Sequence, residues 1–142
     1  MKIKIKPLVD GLKDINANAP GEWYDLRAAE DYDVKAGQYV KIRLGVAIEL
    51  PDGYEAIVAA RSSTFQKWGI LMANGIGVID HSYCGEDDEW HFPAIAMRNT
   101  HVHKNDRICQ FRIICSQPEA DICKVNSLNN NNRGGFGSSG TN

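Results

Sequence analysis

Short runs in which apolar and polar residues alternate follow one another along most of the chain. Alternation of this kind predicts strands with one buried face, because successive side chains of a strand point to opposite faces of a sheet. Pro51-Asp52-Gly53 separates two such runs with residues typical of a turn. Strands are predicted over residues 2–6, 24–27, 38–43, 46–50, 54–60, 70–73, 77–79, 90–97, 107–115 and 122–125.

Helical signals are confined to one place. A single short helix is predicted from Ser62 to Lys67, with its own serines capping the N-terminus. No segment keeps an apolar stripe at the 3.6-residue period of a longer helix. The 142 residues therefore predict one all-β domain, a sandwich, jelly roll or distorted β-barrel, with no internal repeat or interdomain linker.

The last residues differ in composition from the rest. Residues 129–142 are polar and rich in glycine, so they cannot bury enough apolar surface to order by themselves. We expect a β domain over residues 1–128 and a flexible C-terminal arm over residues 129–142. Alternatively, Arg133 and Phe136 could fold over a bound anion, with the arginine pairing to phosphate and the ring covering a base.

Charge and hydropathy limit the classes of partner. The formal net charge is -2, which gives no overall signal for a polyanion such as nucleic acid. The alternating start of the chain lacks the apolar core of a signal peptide, and no run approaches the roughly 20 apolar residues of a membrane span. We expect a cytoplasmic protein that binds neither nucleic acid nor membrane.

Cysteine and histidine spacing gives little indication of a metal site. The four cysteines form no Cys-x-x-Cys pair, so free thiols are expected. His101 and His103 would lie on the same side of a strand, where a metal could use both. With no third ligand at an obvious spacing, they are interpreted as surface residues.

One segment, residues 74–86, combines a turn signal with a single acid. Asn74-Gly75 predicts a β-hairpin, and the apolar run that follows ends at Asp80. A hairpin can present backbone donors and acceptors to the edge of a planar base, and Tyr83 could form a wall against the attached sugar. Asp80, shielded by apolar neighbours, is suited to act as a general base. The alternative is that Asp80 only makes an Asx turn.

Several other residues indicate phosphate binding. Arg61, Ser62 and Ser63 stand where a strand gives way to a helical turn, so a guanidinium and two hydroxyls can converge on an oxyanion. Asp25 is an isolated acid in a strand and could hold Mg²⁺ through water, while Gln110 could add a neutral donor. The alternatives are a surface ion pair for Arg61, a turn for Asp25 and an edge-strand position for Gln110.

Five short motifs in this order resemble those of the trimeric dUTPase family, the deoxyuridine triphosphate nucleotidohydrolases. The resemblance covers most of the chain and is specific, because chance would have to supply every motif in sequence. The motifs are Tyr24-Asp25-Leu26-Arg27, Arg61-Ser62-Ser63, residues 74–85, Asp106-Arg107-Ile108-Cys109-Gln110 and residues 133–140.

The resemblance implies a jelly-roll-like subunit in a homotrimer that hydrolyses dUTP to dUMP and pyrophosphate with Mg²⁺, at sites shared between subunits. In the family, one subunit's third motif holds the nucleoside, a neighbour's first, second and fourth motifs hold phosphates and metal, and the remaining subunit supplies the fifth. Asp80 would activate water for attack on the α-phosphate, and Asp25 would anchor Mg²⁺ through water. The substrate-binding residues implied are Arg61, Ser62, Ser63, Asn74, Gly77, Ile79, Tyr83, Gln110, Arg133, Phe136, Gly137 and Ser138.

The chain departs from the family pattern in places. The fifth motif is short between Arg133 and Phe136. Asn105 stands before the fourth motif, where the family commonly has glycine. His81 stands where the family more often has a small or acidic residue, and it could tune Asp80 or face solvent. Trp90 and Phe92 are expected in the core or an interface. Two alternatives stay open: a dCTP deaminase of the same fold, and a dUTPase-like module that binds a regulatory partner protein.

Overall fold

The structure is a computed structural model that describes residues 1–15 and 21–135. The described residues form eleven strands and one helix. The elements are β1 (Lys4–Pro7), β2 (Tyr24–Arg27), β3 (Tyr32–Val34), β4 (Tyr39–Arg43), β5 (Val46–Glu49), β6 (Tyr54–Ala60), α1 (Thr64–Trp68), β7 (Ile70–Met72), β8 (Gly77–Ile79), β9 (His91–Ala96), β10 (Thr100–Val102) and β11 (Arg107–Cys115).

The strands pair into four antiparallel sheets. The largest has the order β2-β11-β6-β8, and a three-stranded sheet has the order β4-β9-β7. Two two-stranded ladders, β1 with β5 and β10 with β3, complete the arrangement. The described strands form no closed barrel, so the protein is all-β with a jelly-roll-like arrangement of sheets rather than a barrel.

One hydrophobic core joins the two larger sheets. Phe111 of β11 packs against Trp90, just before β9, with ring centroids 5.3 Å apart in an edge-to-face arrangement. Trp90 and Phe92 are both fully buried, so they belong to the core as expected. Each fully buried aromatic or large aliphatic side chain contributes roughly 1.5–3 kcal/mol to folding. This core fixes the positions of the strand ends, from which the polar residues described below project.

Nine of the ten predicted strands are present. The exception is residues 122–125, which form no strand and leave Ile122 and Val125 exposed. The segment contains apolar residues, but it pairs with no strand among the residues that the structure describes. The sequence also did not predict β3 and β10, which are only three residues long.

The helix begins two residues later and ends one residue later than predicted, and its cap differs. Ser63 occupies the N-cap position without a side-chain cap hydrogen bond. Instead, Thr64 Oγ1 accepts a hydrogen bond from Arg61 N at 3.0 Å and donates one to Ile108 O at 2.9 Å. The buried threonine thus ties the start of the helix to β11, which the serines do not.

The predicted hairpin at Asn74-Gly75 is wrong. β7, before the turn, pairs with β9, whereas β8, after it, pairs with β6. The turn therefore carries the chain from one large sheet to the other, although it keeps its local geometry, with a φ of 72° at Gly75. Gly77 is needed for close packing, because a Cβ there would lie 3.2 Å from Val58 Cβ.

After β11 the chain has no helix or strand up to residue 135, and nearly all of this segment is exposed. Leu128 is 77% exposed, so the segment leaves apolar side chains uncovered in the single chain. The division into residues 1–128 and 129–142 stays a prediction. Within the described part of the chain, no helix combines the length and apolar character that a membrane span requires.

Candidate functional site

An acid and two arginines meet at one end of the largest sheet. Asp25 Oδ1 lies 2.7 Å from Arg61 Nε, and Arg107 Nη1 donates a hydrogen bond of 3.0 Å to Asp25 Oδ2. The three residues come from β2, the end of β6 and β11, which are neighbours in the sheet. We refer to Asp25, Arg61 and Arg107 as the acid–arginine cluster.

Burial of Asp25 explains why the cluster needs both arginines. This residue is only 4% exposed, and a buried carboxylate is costly unless it is paired. One carboxylate with two guanidiniums carries a net charge of +1, which favours an anionic ligand. Arg61 and Asp25 were predicted as phosphate- and metal-binding residues from the sequence, whereas Arg107 was given no role. The register of β11 against β2 brings Arg107 into the cluster, and single-sequence spacing does not reveal that register.

The polar residues predicted near this cluster differ in exposure. Ser62 is exposed and Ser63 is half-buried. Gln110 is opposite Asp25 in the ladder, and its Nε2 donates a hydrogen bond of 3.3 Å to Ala60 O, just before Arg61. Thr64 was not identified from the sequence; a hydroxyl in the first turn of a short helix is the signal that points to it. The structure therefore brings the first, second and fourth motifs together within one chain.

Asp80 lies in a different place, at the end of β8. Its Oδ1 accepts hydrogen bonds from Ser82 Oγ and, at 2.9 Å, from Ser82 N, which makes it an Asx turn. These hydrogen bonds lower the pKa of Asp80 below its usual value, and the nearby His81 lowers it further. Asp80 and His81 are both exposed, so the expected apolar shielding of the acid is absent in the single chain.

Asp80 borders an open pocket of about 420 Å³. Ile79 and Tyr83 also line it, and the Tyr83 hydroxyl donates a hydrogen bond of 3.2 Å to Glu89 O. That bond leaves the ring 41% exposed at the pocket wall. Asn74 is exposed, and its carbonyl accepts a hydrogen bond of 2.8 Å from Ile76 N, which leaves the amide side chain outside the turn's own hydrogen bonds.

The acid–arginine cluster and Asp80 are at opposite ends of β6. Ile79 is paired with Ala56 near the start of β6, whereas Arg61 follows the strand's last residue. Five residues of strand separate these positions, which corresponds to roughly 16 Å at about 3.3 Å per residue. Within one chain, Asp80 and the acid–arginine cluster therefore lie at different places along the sheet.

The fifth motif is only partly within the described residues. Arg133 is exposed at the end of the tail. Phe136, Gly137 and Ser138 lie outside the described residues, so their predicted roles stay predictions.

Comparison with known proteins decides the family. The dUTPase family model matches residues 14–140. The chain is 51% identical over 141 residues to the SPbeta prophage-derived deoxyuridine 5'-triphosphate nucleotidohydrolase YosS of Bacillus subtilis strain 168, and the match covers 99% of each chain. The chain belongs to the dUTPase family. The resemblance read from the five motifs is confirmed.

Solved dUTPase structures have the same fold. A dUTPase of Staphylococcus bacteriophage 80alpha, determined with dUpNHpp, gives a TM-score of 0.83 at 18% identity and covers 99% of both chains. A mutant dUTPase from phage phi11 of S. aureus gives 0.77 at 15% identity, covering 90% of this chain and 99% of that one. The phi11 protein coordinates a structural Mg(II) ion.

Asp25 fits a metal held through water better than one bound directly. Both of its oxygens contact guanidiniums, so direct coordination would break an ion pair. Yet Oδ1 accepts no hydrogen bond from the described residues, because Arg61 Nε is close without hydrogen-bond geometry. A carboxylate has about four acceptor sites, so Oδ1 can accept from a metal-bound water. In this dUTPase, the other ligands of such an ion would have to come from outside the cluster.

The Asp80–Ser82 contact predicts how activity depends on pH. If Asp80 acts as the general base it must be deprotonated, and its lowered pKa would then keep it active at more acidic pH. Ser82→Ala removes the hydroxyl donor and should move the acid limb of the kcat/KM profile to higher pH, with little change near neutrality. The pH profile of dUTP hydrolysis measures this, with Ser116→Ala as the matched control. An acid limb that stays in place would show that the hydroxyl does not tune Asp80.

Proposed function

We propose that this chain hydrolyses dUTP to dUMP and pyrophosphate. The observation that carries the proposal is the 51% identity, across the full length, to a curated deoxyuridine 5'-triphosphate nucleotidohydrolase. All five motifs that carry the resemblance fall within the aligned region. The reaction is an attack of water on the α-phosphorus with pyrophosphate as the leaving group.

The acid–arginine cluster supplies the phosphate-binding charge. A guanidinium has five N–H donors; Arg61 donates one Nη1 hydrogen to Arg107 O, and its Nε faces Asp25 in an ion pair without hydrogen-bond geometry. Three donors remain, among the described contacts, for phosphate oxygens. Asp25 fixes the plane of that guanidinium, which prepares a bidentate contact before substrate arrives. Ser62, Ser63 and Gln110 add neutral donors around it.

Asp80 is the general base in this proposal. It sits on the loop after β8, where Ser82 holds its Oδ1. The second oxygen is then available to accept a proton from the attacking water. Phosphoryl chemistry needs little covalent help from the protein, so aligning the water and holding the phosphates in line provide most of the catalysis.

The base and sugar are read by the third motif. Tyr83, on the pocket wall, would pack against deoxyribose and leave no room for a 2′-hydroxyl. Asn74, with the backbone at Gly77 and Ile79, would pair with the edge of uracil. A site built to pair with uracil leaves buried groups unpaired when cytosine enters, which can cost a factor on the order of 10⁴.

Mg²⁺ and the C-terminal arm complete the site. Mg²⁺ would be held mainly by the substrate's triphosphate oxygens, with Asp25 contacting it through water, and would neutralise phosphate charge. Arg133 would contact the γ-phosphate and Phe136 would cover the base, with Gly137 and Ser138 beside it.

The site is proposed to form between subunits of a homotrimer. The roughly 16 Å of strand between the level of Ile79, which precedes Asp80, and Arg61 supports this arrangement. A neighbouring chain that brings its cluster to this chain's pocket would unite the base with the phosphates. The exposed tail, including Leu128 and Arg133, is free to reach another subunit.

A nucleotide panel with Mg²⁺ tests the activity. The purified chain is given dUTP, dTTP, dCTP and UTP, and both pyrophosphate and ammonia are measured. We expect pyrophosphate from dUTP and, because of the unpaired-group penalty, little reaction with dCTP. Ammonia from dCTP would instead identify a deaminase. No turnover of any nucleotide by a folded protein would leave the binding-module alternative.

A further inference from the structure

Four ionisable side chains share one face of the β3–β10 ladder. His101 is paired with Asp33 across the ladder, and Val102 with Tyr32. Side chains two apart on a strand lie on the same face, so His103 and Asp31 join that pair at the ladder's end. We refer to Asp31, Asp33, His101 and His103 as the histidine–aspartate patch.

The two imidazoles are already at the separation that a shared metal requires. His101 Nε2 and His103 Nδ1 are 3.1 Å apart. Two nitrogens bound to one Zn²⁺ at about 2.0–2.1 Å are about 2.9–3.4 Å apart for bond angles between 90° and 109°. Asp31 supplies an oxygen, and the three ligand atoms all lie within 4.8 Å of one another.

Asp33 orients one of these ligands. His101 Nδ1 lies 2.6 Å from Asp33 Oδ1. This contact places the Nδ1 proton toward the carboxylate and leaves the Nε2 lone pair for a metal. Metal-binding histidines in proteins commonly have such a carboxylate partner on the other ring nitrogen.

The backbone around the patch holds the carboxylates in place. Lys104 N donates a hydrogen bond of 2.7 Å to Asp31 Oδ1, and His103 N donates one of 2.9 Å to Asp106 Oδ2. Asn105, at a φ of 74°, makes the turn that brings Asp106 back to His103. Three carboxylates thus surround the imidazole pair, and their negative charge favours a cation there.

We propose that the histidine–aspartate patch binds one Zn²⁺, or a similar divalent transition-metal ion, through Asp31, His101 and His103, with Asp33 positioning His101. Imidazole ligands select this class of metal over Mg²⁺, which prefers oxygen. Three protein ligands leave a position for water or another molecule. The sequence spacing offered no third ligand beside the two histidines, and Asp31, seventy positions away along the chain from His101, is the residue to which this proposal gives that role. This site does not depend on dUTP hydrolysis.

Zinc titration by calorimetry tests the proposal. The titration uses protein without an affinity tag, in buffer with excess Mg²⁺. The three exposed cysteines, Cys84, Cys115 and Cys123, are changed to serine because they could bind zinc themselves. We expect one Zn²⁺ per chain. Asp31→Asn and His103→Asn should each weaken binding about tenfold or more, and Asp33→Asn about 10-fold through loss of the positioning contact. His81→Asn is the matched control and should bind as the parent does.

A second measurement guards against unfolded variants. Zn²⁺ that binds the folded chain raises the melting temperature, so at one zinc concentration the parent should show a larger increase than Asp31→Asn, which should melt like the parent without metal. The proposal is overturned if the His101→Asn/His103→Asn double variant binds zinc like the parent. It is equally overturned if the parent shows no saturable binding.

Discussion

In the Asp80→Asn variant, kcat for dUTP should fall by about 10²–10⁴-fold, the range expected when a general base is removed. The asparagine oxygen can still accept the hydrogen bond from Ser82 N, so the Asx turn and the loop should persist. Nucleotide binding should therefore stay within a few-fold of the parent. Steady-state kinetics give kcat, and calorimetry with a non-hydrolysable dUTP analogue gives the dissociation constant.

Asp52→Asn is the matched control for this experiment. Asp52 is an exposed acid in the turn between β5 and β6, at the same end of β6 as Asp80 but outside the residues that line the pocket. Its substitution changes the net charge by the same amount and should leave kcat unchanged. If Asp80→Asn kept kcat at the control's level, the alternative would hold, in which Asp80 only makes an Asx turn.

Alternation along the chain was sufficient to predict most of the fold. Long, strongly alternating runs such as Arg107–Cys115 became strands because one face enters a core that Phe111 and Trp90 share. Short strands such as Tyr32–Val34 were not predicted, because three residues are too few to show a period. The error at Ile122 has the opposite origin: its local pattern suits a strand, but pairing depends on a partner that local sequence cannot specify.

The residues of the candidate site could be predicted from their types, but which of them lie together in the structure could not. Asp25, Arg61 and Asp80 were each chosen from local chemistry and from the resemblance. The ladder register adds Arg107 to the cluster, and a buried hydroxyl adds Thr64 beneath it. The hairpin at Asn74 was wrong for a related reason: turn chemistry fixes the local bend, whereas the sheet that each flanking strand joins is decided by long-range packing.

Mixing two inactive chains should restore activity if the site is shared between subunits. Arg61→Ala removes the phosphate-binding guanidinium and Asp80→Asn removes the base, so each homotrimer should be nearly inactive. In a mixed trimer, a site that takes Asp80 from the first variant and Arg61 from the second is intact. Whichever chain is present twice, each mixed trimer has one such site among its three, so the isolated mixed trimers should show about one third of parental kcat.

Co-expression of the two chains with different affinity tags, followed by tandem purification, isolates the mixed trimers for this measurement. Asp80→Asn mixed with Asp80→Ala is the control, and it should stay inactive because no site contains an intact base. If each chain instead contained a whole site, every site in the Arg61→Ala and Asp80→Asn mixture would carry one defect, and no activity would return. Restoration therefore distinguishes a shared site from an autonomous one without a structure of the assembly. The reason to expect it is the roughly 16 Å along β6 between the level of Ile79, next to Asp80, and Arg61 of the acid–arginine cluster.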